Sequence, residues 1–314
     1  MAKISILIPC YNEEDNVALM AHELKELFQN NLANHEYEII FIDNNSTDST
    51  RSILRQLCGE DKNIKAIFNA KNFGQFRSPF YGLTQTAGDC TILVCCDFQD
   101  PIELIPDMIR EWENGSKLVV MQKTTSEENK FMYFLRSCYY KLIHKFSDVE
   151  QIEHFTGFGL YDKSFIEIMR NLHDPIPFLR GIVAELGYKV KIIQYTQKKR
   201  RAGKTHNNFY TLYDAAMLSF TSYTKIGLRL ATFMGAITAF FSFIIAFVYF
   251  VFKLCNWNEF NAGQAPILIG MFFLGAVQLL FLGLIGEYVL SINQRVMNRP
   301  LVIEEERINF ECNS

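Results

Sequence analysis

Two stretches in the last third of the chain constrain its fold more than any other feature. From Ala231 to Phe252 (ATFMGAITAFFSFIIAFVYFVF) no residue is charged; none is charged from Phe260 to Gly286 either, and Ala265 to Gly286 is almost wholly apolar. An α-helix needs ~20 apolar residues to cross a ~30 Å hydrocarbon core, and soluble helices rarely run that long without a polar face. Both stretches are therefore expected to be transmembrane helices. Lys225 and Arg229 precede the first, Arg295 and Arg299 follow the second, and the connector KLCNWNEFNAGQAP carries only Lys253 and Glu259. Cations gathered on the outer flanks place both termini in the cytoplasm and a short loop outside. The expected location is the inner (cytoplasmic) membrane, multi-pass. MAKISILIPCYNEE reaches charges after a very short apolar stretch, so no N-terminal signal peptide is expected.

What precedes these helices reads as a soluble domain. With 31 Lys and Arg against 34 Asp and Glu, the chain has no global field that would favour nucleic acid. Its eight Cys show neither a CxxC pair nor zinc-like spacing, which fits structural thiols in a reduced compartment. Strand signals at ISILIPC, YEIIFID, NIKAIFN, TILVCCD and KLVVMQK alternate with amphipathic stretches such as NVALMAHELKELFQNNL and with STDSTRSILRQLC, which opens on capping residues. Continuous apolar strands separated by helices predict an α/β fold, a mostly parallel sheet covered on both faces. Residues 1–205 are expected to form this domain, 206–229 an interfacial amphipathic segment, 230–292 a two-helix transmembrane hairpin and 293–314 a cytosolic tail with little to read. Residues 129–146 (NKFMYFLRSCYYKLIHKF) mix aromatics with cations and predict a helix at the membrane surface.

Ligands in parallel sheets bind at the carboxyl ends of strands, and three strands here end in polar clusters: PCYNEE, DNNSTD and CDFQDP. Taken in order, IPCYNEE, IDNNSTDST, KNFGQ, CDFQDP and RRAGKT, followed by two apolar spans, resemble the family 2 glycosyltransferases of GT-A fold. Within that family the match is to the polyprenyl-phosphate glycosyltransferases, the GtrB-type enzymes and dolichyl-phosphate mannose synthases. The resemblance covers nearly the whole chain. It implies inverting transfer of a sugar from a nucleotide-sugar donor, with UDP the expected nucleotide, to polyprenyl (undecaprenyl) phosphate at the cytosolic membrane face. It also implies Mg²⁺ or Mn²⁺ as cofactor and a homo-oligomer, tetrameric in relatives.

The chemistry requires that the leaving diphosphate be neutralised and the acceptor oxygen held in line. Mg²⁺ and Mn²⁺ take oxygen ligands, one or two carboxylates with substrate phosphate and water. Asp97 and Gln99 match the metal-holding residues of the family's DADLQDP, in which Cys95 here replaces the first Asp. Asp100 either joins the catalytic group or caps the helix that follows. Pro9, Tyr11 and Glu13 are expected at the donor nucleotide, with Asn12 to Asp15 also suited to capping a helix. Asp43 matches the first Asp of the family's DDGS, and Asn44 and Asn45 replace the next two residues; Asp48 is expected to be a cap. Arg201 matches the phosphate-binding arginine of R-x-G-x-S-K, although QKKRRAGKTHNN would equally attract anionic lipid. Arg136 corresponds to the acceptor-phosphate arginine, with Arg180 a second candidate. In TGFGLYDK, where relatives read GDFRLLDR, Gly157 and Gly159 stand in place of Asp and Arg, and Asp162 remains as a catalytic candidate. These departures leave an alternative, a catalytically impaired, membrane-anchored nucleotide-binding or scaffold protein. QxxRW is absent, which disfavours a processive synthase, and PCYNEE lacks the glycines of a dinucleotide-binding turn.

Overall fold

The computed structural model describes residues 1–125, 152–198, 200–202, 209–224, 226–255 and 264–310. Its centre is an eight-stranded sheet: β1 Lys3–Cys10, β2 Glu36–Asp43, β3 Ile64–Asn69, β4 Cys90–Leu93, β5 Leu118–Thr125, β6 Phe155–Asp162, β7 Val190–Thr196 and β8 Glu304–Ile308. The spatial order is β7-β5-β6-β4-β1-β2-β3-β8. Only β6 and β8 oppose the other strands. The mostly parallel α/β sheet expected from the sequence is present. β1 lies between β4 and β2, so the chain reverses its direction of progress across the sheet at β1, where a crevice opens.

Alternation along β1 explains how both faces are covered. Ile4, Ile6 and Ile8 point to one side and meet Val17, Met20 and Leu24 of α1 (Val17–Asn31), with Leu54 of α2 (Thr50–Glu60). Leu7 points to the other side, into a core shared with Phe80 and Leu83 of α3 (Gly74–Thr84). α4 (Ile105–Glu113) joins the first layer. α5 (Lys163–Asn171) and α6 (Leu179–Glu185) join the second. β4 ends at Leu93, earlier than the apolar run TILVC suggests: Val94 still donates to the Leu7 carbonyl at 3.1 Å, but the Cys95 N–H turns to Asp100.

At the opposite edge from the polar clusters, one buried carboxylate ties three segments together. Glu38 accepts from Ser5 Oγ at 2.5 Å, Lys65 Nζ at 2.9 Å and the Ala87 N–H at 2.8 Å, and Lys3 Nζ lies 3.0 Å away. Burial alone would raise its pKa, but the bonds from Lys65, Ser5, Ala87 and Lys3 outweigh it and bring the carboxyl from 4.5 down to about 2. Because the folded value is the depressed one, the stability it supplies is present above pH ~4.5 and is lost as pH falls through about 2. At 1.36 kcal/mol per unit this is roughly 3 kcal/mol. Glu38→Gln should therefore lower unfolding stability by about that amount at pH 7. The gap to the parent should close as thermal melts are taken toward pH 2.

Three helices follow the domain: α7 Phe209–Tyr223, α8 Ile226–Cys255 and α9 Gln264–Val296. Among the described residues one stretch, Phe273–Val296, is long and apolar enough to cross a membrane, with a mean hydropathy of 1.9. The apolar stretch described within α8, Arg229–Ile245, is shorter, so the first of the two expected spans is not shown as one. Both helices nonetheless expose large apolar side chains, such as Phe243 at 72 % and Leu279 at 71 %. The tail is more than an unstructured end. After α9 the chain returns to the domain and adds β8 antiparallel to β3. Asn309 then donates to the Cys58 and Ile64 carbonyls at 2.7 and 2.8 Å. Short, charge-rich EEERI carries too little alternation of apolar residues to announce an edge strand.

Candidate active site

The loops after β1, β2 and β4 meet at one end of the sheet, and each turns through a strained residue. Asn12, Asn45 and Phe98 have φ of 53°, 66° and 58°. Asn tolerates this region, whereas a bulky Phe is held there against a cost of about 1 kcal/mol or more. Such outliers are retained where the surroundings over-determine them, often at functional loops. Here the surroundings are visible. Ser46 Oγ accepts from the Asn12 N–H at 2.8 Å, Asn12 Oδ1 from the Thr47 N–H at 2.8 Å, and Glu14 Oε2 from the Ser49 N–H at 2.8 Å. The β1 and β2 loops are thus laced into one wall.

Glu13 belongs to this wall and faces Asp97 of the β4 loop through an arginine. Arg200 Nη2 lies 3.0 Å from Asp97 Oδ2 and 3.4 Å from Glu13 Oε1. Glu13 and Asp97 are both buried, so their charges are matched by a guanidinium rather than by bulk water. Asn16 Nδ2 holds Glu13 Oε2 at 2.6 Å. Of the two adjacent arginines, Arg200 reaches the carboxylates. Arg201 turns away, to Glu23 of α1 and to the face of Phe98, 4.2 Å from its ring centroid. The family pattern drew attention to Arg201. The signal that could have found Arg200 is the simple adjacency of two cations, one of which must point each way.

The remaining expected residues separate into three groups. Asp43 is fully buried and turned inward: it accepts from the Ser46 N–H at 3.2 Å and lies 3.4 Å from Arg51 Nε. Burial raises its pKa, partly offset by Ser46 and Arg51. Asn44 donates to Asn72 Oδ1 and the Gly74 carbonyl and accepts from Asn69 Nδ2 and the Phe73 N–H. Its amide therefore has no capacity left for a base; it fastens the KNFGQ loop instead. Asp48 lies one residue before the N-cap Ser49 and accepts from the Thr50 N–H at 3.0 Å and the Glu14 N–H at 3.3 Å, joining the start of α2 to the β1 loop. Pro9 and Tyr11 stand at the end of β1 beside this wall.

Asp100 does not cap the following helix. It accepts from Tyr195 Oη at 2.9 Å and from the Cys95 N–H at 3.3 Å, and so fixes the turn from beneath. Burial pushes its pKa up to about 6, with Tyr195 opposing and Asp97 adding to the rise. Asp162 lies at the far edge of the sheet. It pairs in register with Cys90, the first residue of β4, and caps α5 through the Ser164 N–H while accepting from Trp112 Nε1 at 2.9 Å. A strand length thus separates it from Asp97, and its expected catalytic place is corrected to a helix cap. Arg180 stacks on Phe178 at 5.1 Å, and Phe178 also meets Phe76 of α3 and Tyr223 of α7. This places Arg180 where the domain meets α7, the helix that precedes the apolar helices. Arg136, the 129–146 segment and residues 203–208 lie outside the described residues.

The donor set of the β4 loop suits a divalent cation. Asp97 Oδ1 accepts only the Gln99 N–H at 3.2 Å, and the Gln99 side-chain amide makes no hydrogen bond among the described residues. One carboxylate and one free amide oxygen fit Mg²⁺ or Mn²⁺ provided that substrate phosphate and water complete the shell. Among the described residues no group of three His, Cys, Asp or Glu forms a closed metal site. Cys95 is exposed beside this pair, where the family pattern has a carboxylate. Gly159 also has a local reason: a Cβ there would lie 2.6 Å from the Val119 carbonyl oxygen, so this backbone has no room for the family's Arg. Gly157 has φ of 111°, a conformation that favours glycine.

The crevice at the ends of the parallel strands, with its laced loops and carboxylate–guanidinium bridge, is where an α/β protein of this topology binds its ligand. The glycosyl transferase family 2 model matches residues 5–187, and the chain belongs to that family. It is a glycosyltransferase. The SfII prophage-derived bactoprenol glucosyl transferase of Shigella flexneri is 32% identical over 302 residues, covering 96% of this chain and 97% of that protein. The prophage bactoprenol glucosyl transferase homolog of Escherichia coli K12 is 30% identical over 305 residues, 96% of this chain and 98% of that one. Among solved structures, mannosyl-3-phosphoglycerate synthase from Rubrobacter xylanophilus has a TM-score of 0.50 at 16% identity, over 69% of this chain and 71% of that one. That last likeness concerns the fold.

Proposed function

We propose that this chain transfers a sugar from a nucleotide-sugar donor, with UDP the expected nucleotide, to a polyprenyl phosphate at a membrane surface, with inversion. The observation that carries the proposal is the Glu13–Arg200–Asp97 bridge at the strand ends, in a chain whose next elements are apolar helices. The bactoprenol named for the two relatives supports a lipid-phosphate acceptor.

In the reaction an acceptor phosphate oxygen attacks the anomeric carbon as the bond from that carbon to the diphosphate breaks, and the nucleoside diphosphate leaves with the electron pair. A phosphate monoester is ionised at neutral pH, so the nucleophile needs no proton removed. Gly157, at the position of the family's Asp, is consistent with that. Arg200 would turn from the carboxylates to the leaving diphosphate, and Asp97 and Gln99 would hold the divalent cation. A bound Mg²⁺ or Mn²⁺ supplies charge neutralisation to the leaving group. Arg180, stacked on Phe178 near Tyr223 of α7, would meet an acceptor phosphate arriving from the lipid side.

Chain tracing supports a membrane hairpin as part of this proposal. β8 lies in the same sheet as β1 to β7, so the chain between α7 and β8 must cross any bilayer an even number of times. If α9 crosses, α8 must cross as well. Glu287 and Arg295 near the end of α9 contact Tyr213 and Ser222 of α7, which favours a span ending near Gly286. On this reading both termini are cytosolic, and Glu304–Ile308 rejoins the sheet of the domain rather than standing apart as a tail.

The test is direct. Purified full-length protein with Mg²⁺ or Mn²⁺, undecaprenyl phosphate and a panel of nucleotide sugars should give one lipid product of the mass of a monoglycosylated phosphate. Absence of any lipid product across the panel overturns the proposal; nucleotide binding without transfer would leave a binding role.

A further inference from the structure

The C-terminal strand is joined to the crevice by a continuous row of residues. Cys10 of β1 pairs in register with Asp43 of β2, Asp43 with Phe68 of β3, and Phe68 with Glu306 of β8. Above this row lie two arginines of α2. Arg51 and Arg55 both stack on the Phe68 ring, at 5.1 and 4.7 Å. Arg55 pairs with Glu306 at 2.7 Å, an exposed bridge that ends there. Arg51 differs because it has two carboxylates. Its Nη2 lies 2.6 Å from Glu305 Oε2, and its Nε lies 3.4 Å from Asp43 Oδ2. The Arg51 side chain is only 18% exposed, and its Nε–H is buried with no hydrogen bond formed. A buried donor without a partner is unfavourable, so the guanidinium is held in place by its other contacts rather than by Asp43 alone.

Asp43 in turn shapes the loop that receives the donor. Its carboxylate accepts from the Ser46 N–H, and Ser46 Oγ accepts from the Asn12 N–H beside Glu13. We propose that β8 is a working part of the donor site. Glu305 positions Arg51, Arg51 positions Asp43, and Asp43 sets the Asn44–Ser46 turn against the β1 loop. The strand that follows the apolar helices therefore completes the pocket built by the first half of the chain. This rests on the crevice being the nucleotide site, as proposed above. Glu305 and Arg51 are positioning residues that act through Asp43.

Glu305 and Glu306 are adjacent, the first exposed and the second partly so, and each binds one arginine of α2, so each serves as the other's control. In full-length protein, Glu305→Gln should raise the donor KM about 3-fold, and Arg51→Met about 10-fold, with kcat in both within 2-fold of the parent, as expected for exposed and half-buried pairs. Glu306→Gln should leave the donor KM unchanged while costing the same thermal stability as Glu305→Gln. Calorimetry with UDP and Mn²⁺ should show the same ranking in Kd. Equal KM values for Glu305→Gln and the parent overturn the relay, as does an equal KM rise in Glu306→Gln, which would make β8 only a clasp. If the parent itself binds no UDP, the nucleotide site has failed rather than the relay.

Discussion

Asp97→Ala lowers sugar transfer by on the order of 10³-fold, with membrane insertion and thermal stability close to the parent. The expected size comes from what one preorganised group contributes when charge develops in a water-poor site, about two to three powers of ten. Asp97 is the only carboxylate of the β4 loop that faces the crevice, because Asp100 is committed to Tyr195 and the Cys95 N–H. Without it, Gln99 is left as a lone neutral oxygen ligand and Arg200 loses its 3.0 Å carboxylate partner. Stability should change little because Asp97 lies in a turn and Arg200, with its side chain 23% exposed, retains Glu13 and access to water. Removing its charge also lowers the Asp100 pKa from about 6, since Asp97 is one of the groups raising it. Activity in detergent with the cognate donor checks the first claim, and a melting curve the second. Turnover within 10-fold of the parent would show that Asp97 holds neither a cation nor the diphosphate-binding arginine.

The sheet was legible in the sequence because its first five strands carry their own signals, continuous β-branched runs bounded by polar turns. β6 and β7 were harder. FTGFGLYD carries two glycines that a strand rarely wants, and here one avoids the Val119 carbonyl while the other adopts a positive φ. β8 was illegible for another reason: its strand character comes from pairing with β3 and from the arginines of α2, and neither is visible in EEERI. The site shows the same division. That Asp97, Gln99 and Glu13 gather at one end of the sheet was legible, since strand-end position and residue chemistry point the same way, while their roles belong to the proposal. Asp162 and Asn44 could not be placed from pattern alone. In both, a polar residue at a motif position is consumed by local bonds, a helix cap in one and a loop anchor in the other, and only the three-dimensional partner list reveals it.

Arg200 is the residue whose loss should be felt next most. In the resting arrangement it neutralises Glu13 and Asp97 together. A divalent cation and a diphosphate would have to take over both jobs: the cation by binding Asp97, the diphosphate by offering the planar guanidinium fork two oxygens at once. Arg200→Ala should therefore reduce kcat by about 10²-fold. Arg200→Lys should recover only part of this, because an ammonium cannot span two oxygens in fork geometry. Arg201→Ala separates the two adjacent cations. Its partners are Glu23 and the Phe98 ring, so its loss should change turnover only a few-fold while softening the strained turn at Phe98. Steady-state kinetics on the three variants decides the matter. If Arg201→Ala were the more damaging substitution, the loop must invert its two arginines when donor binds, and the carboxylate bridge would be a resting arrangement with no part in transfer.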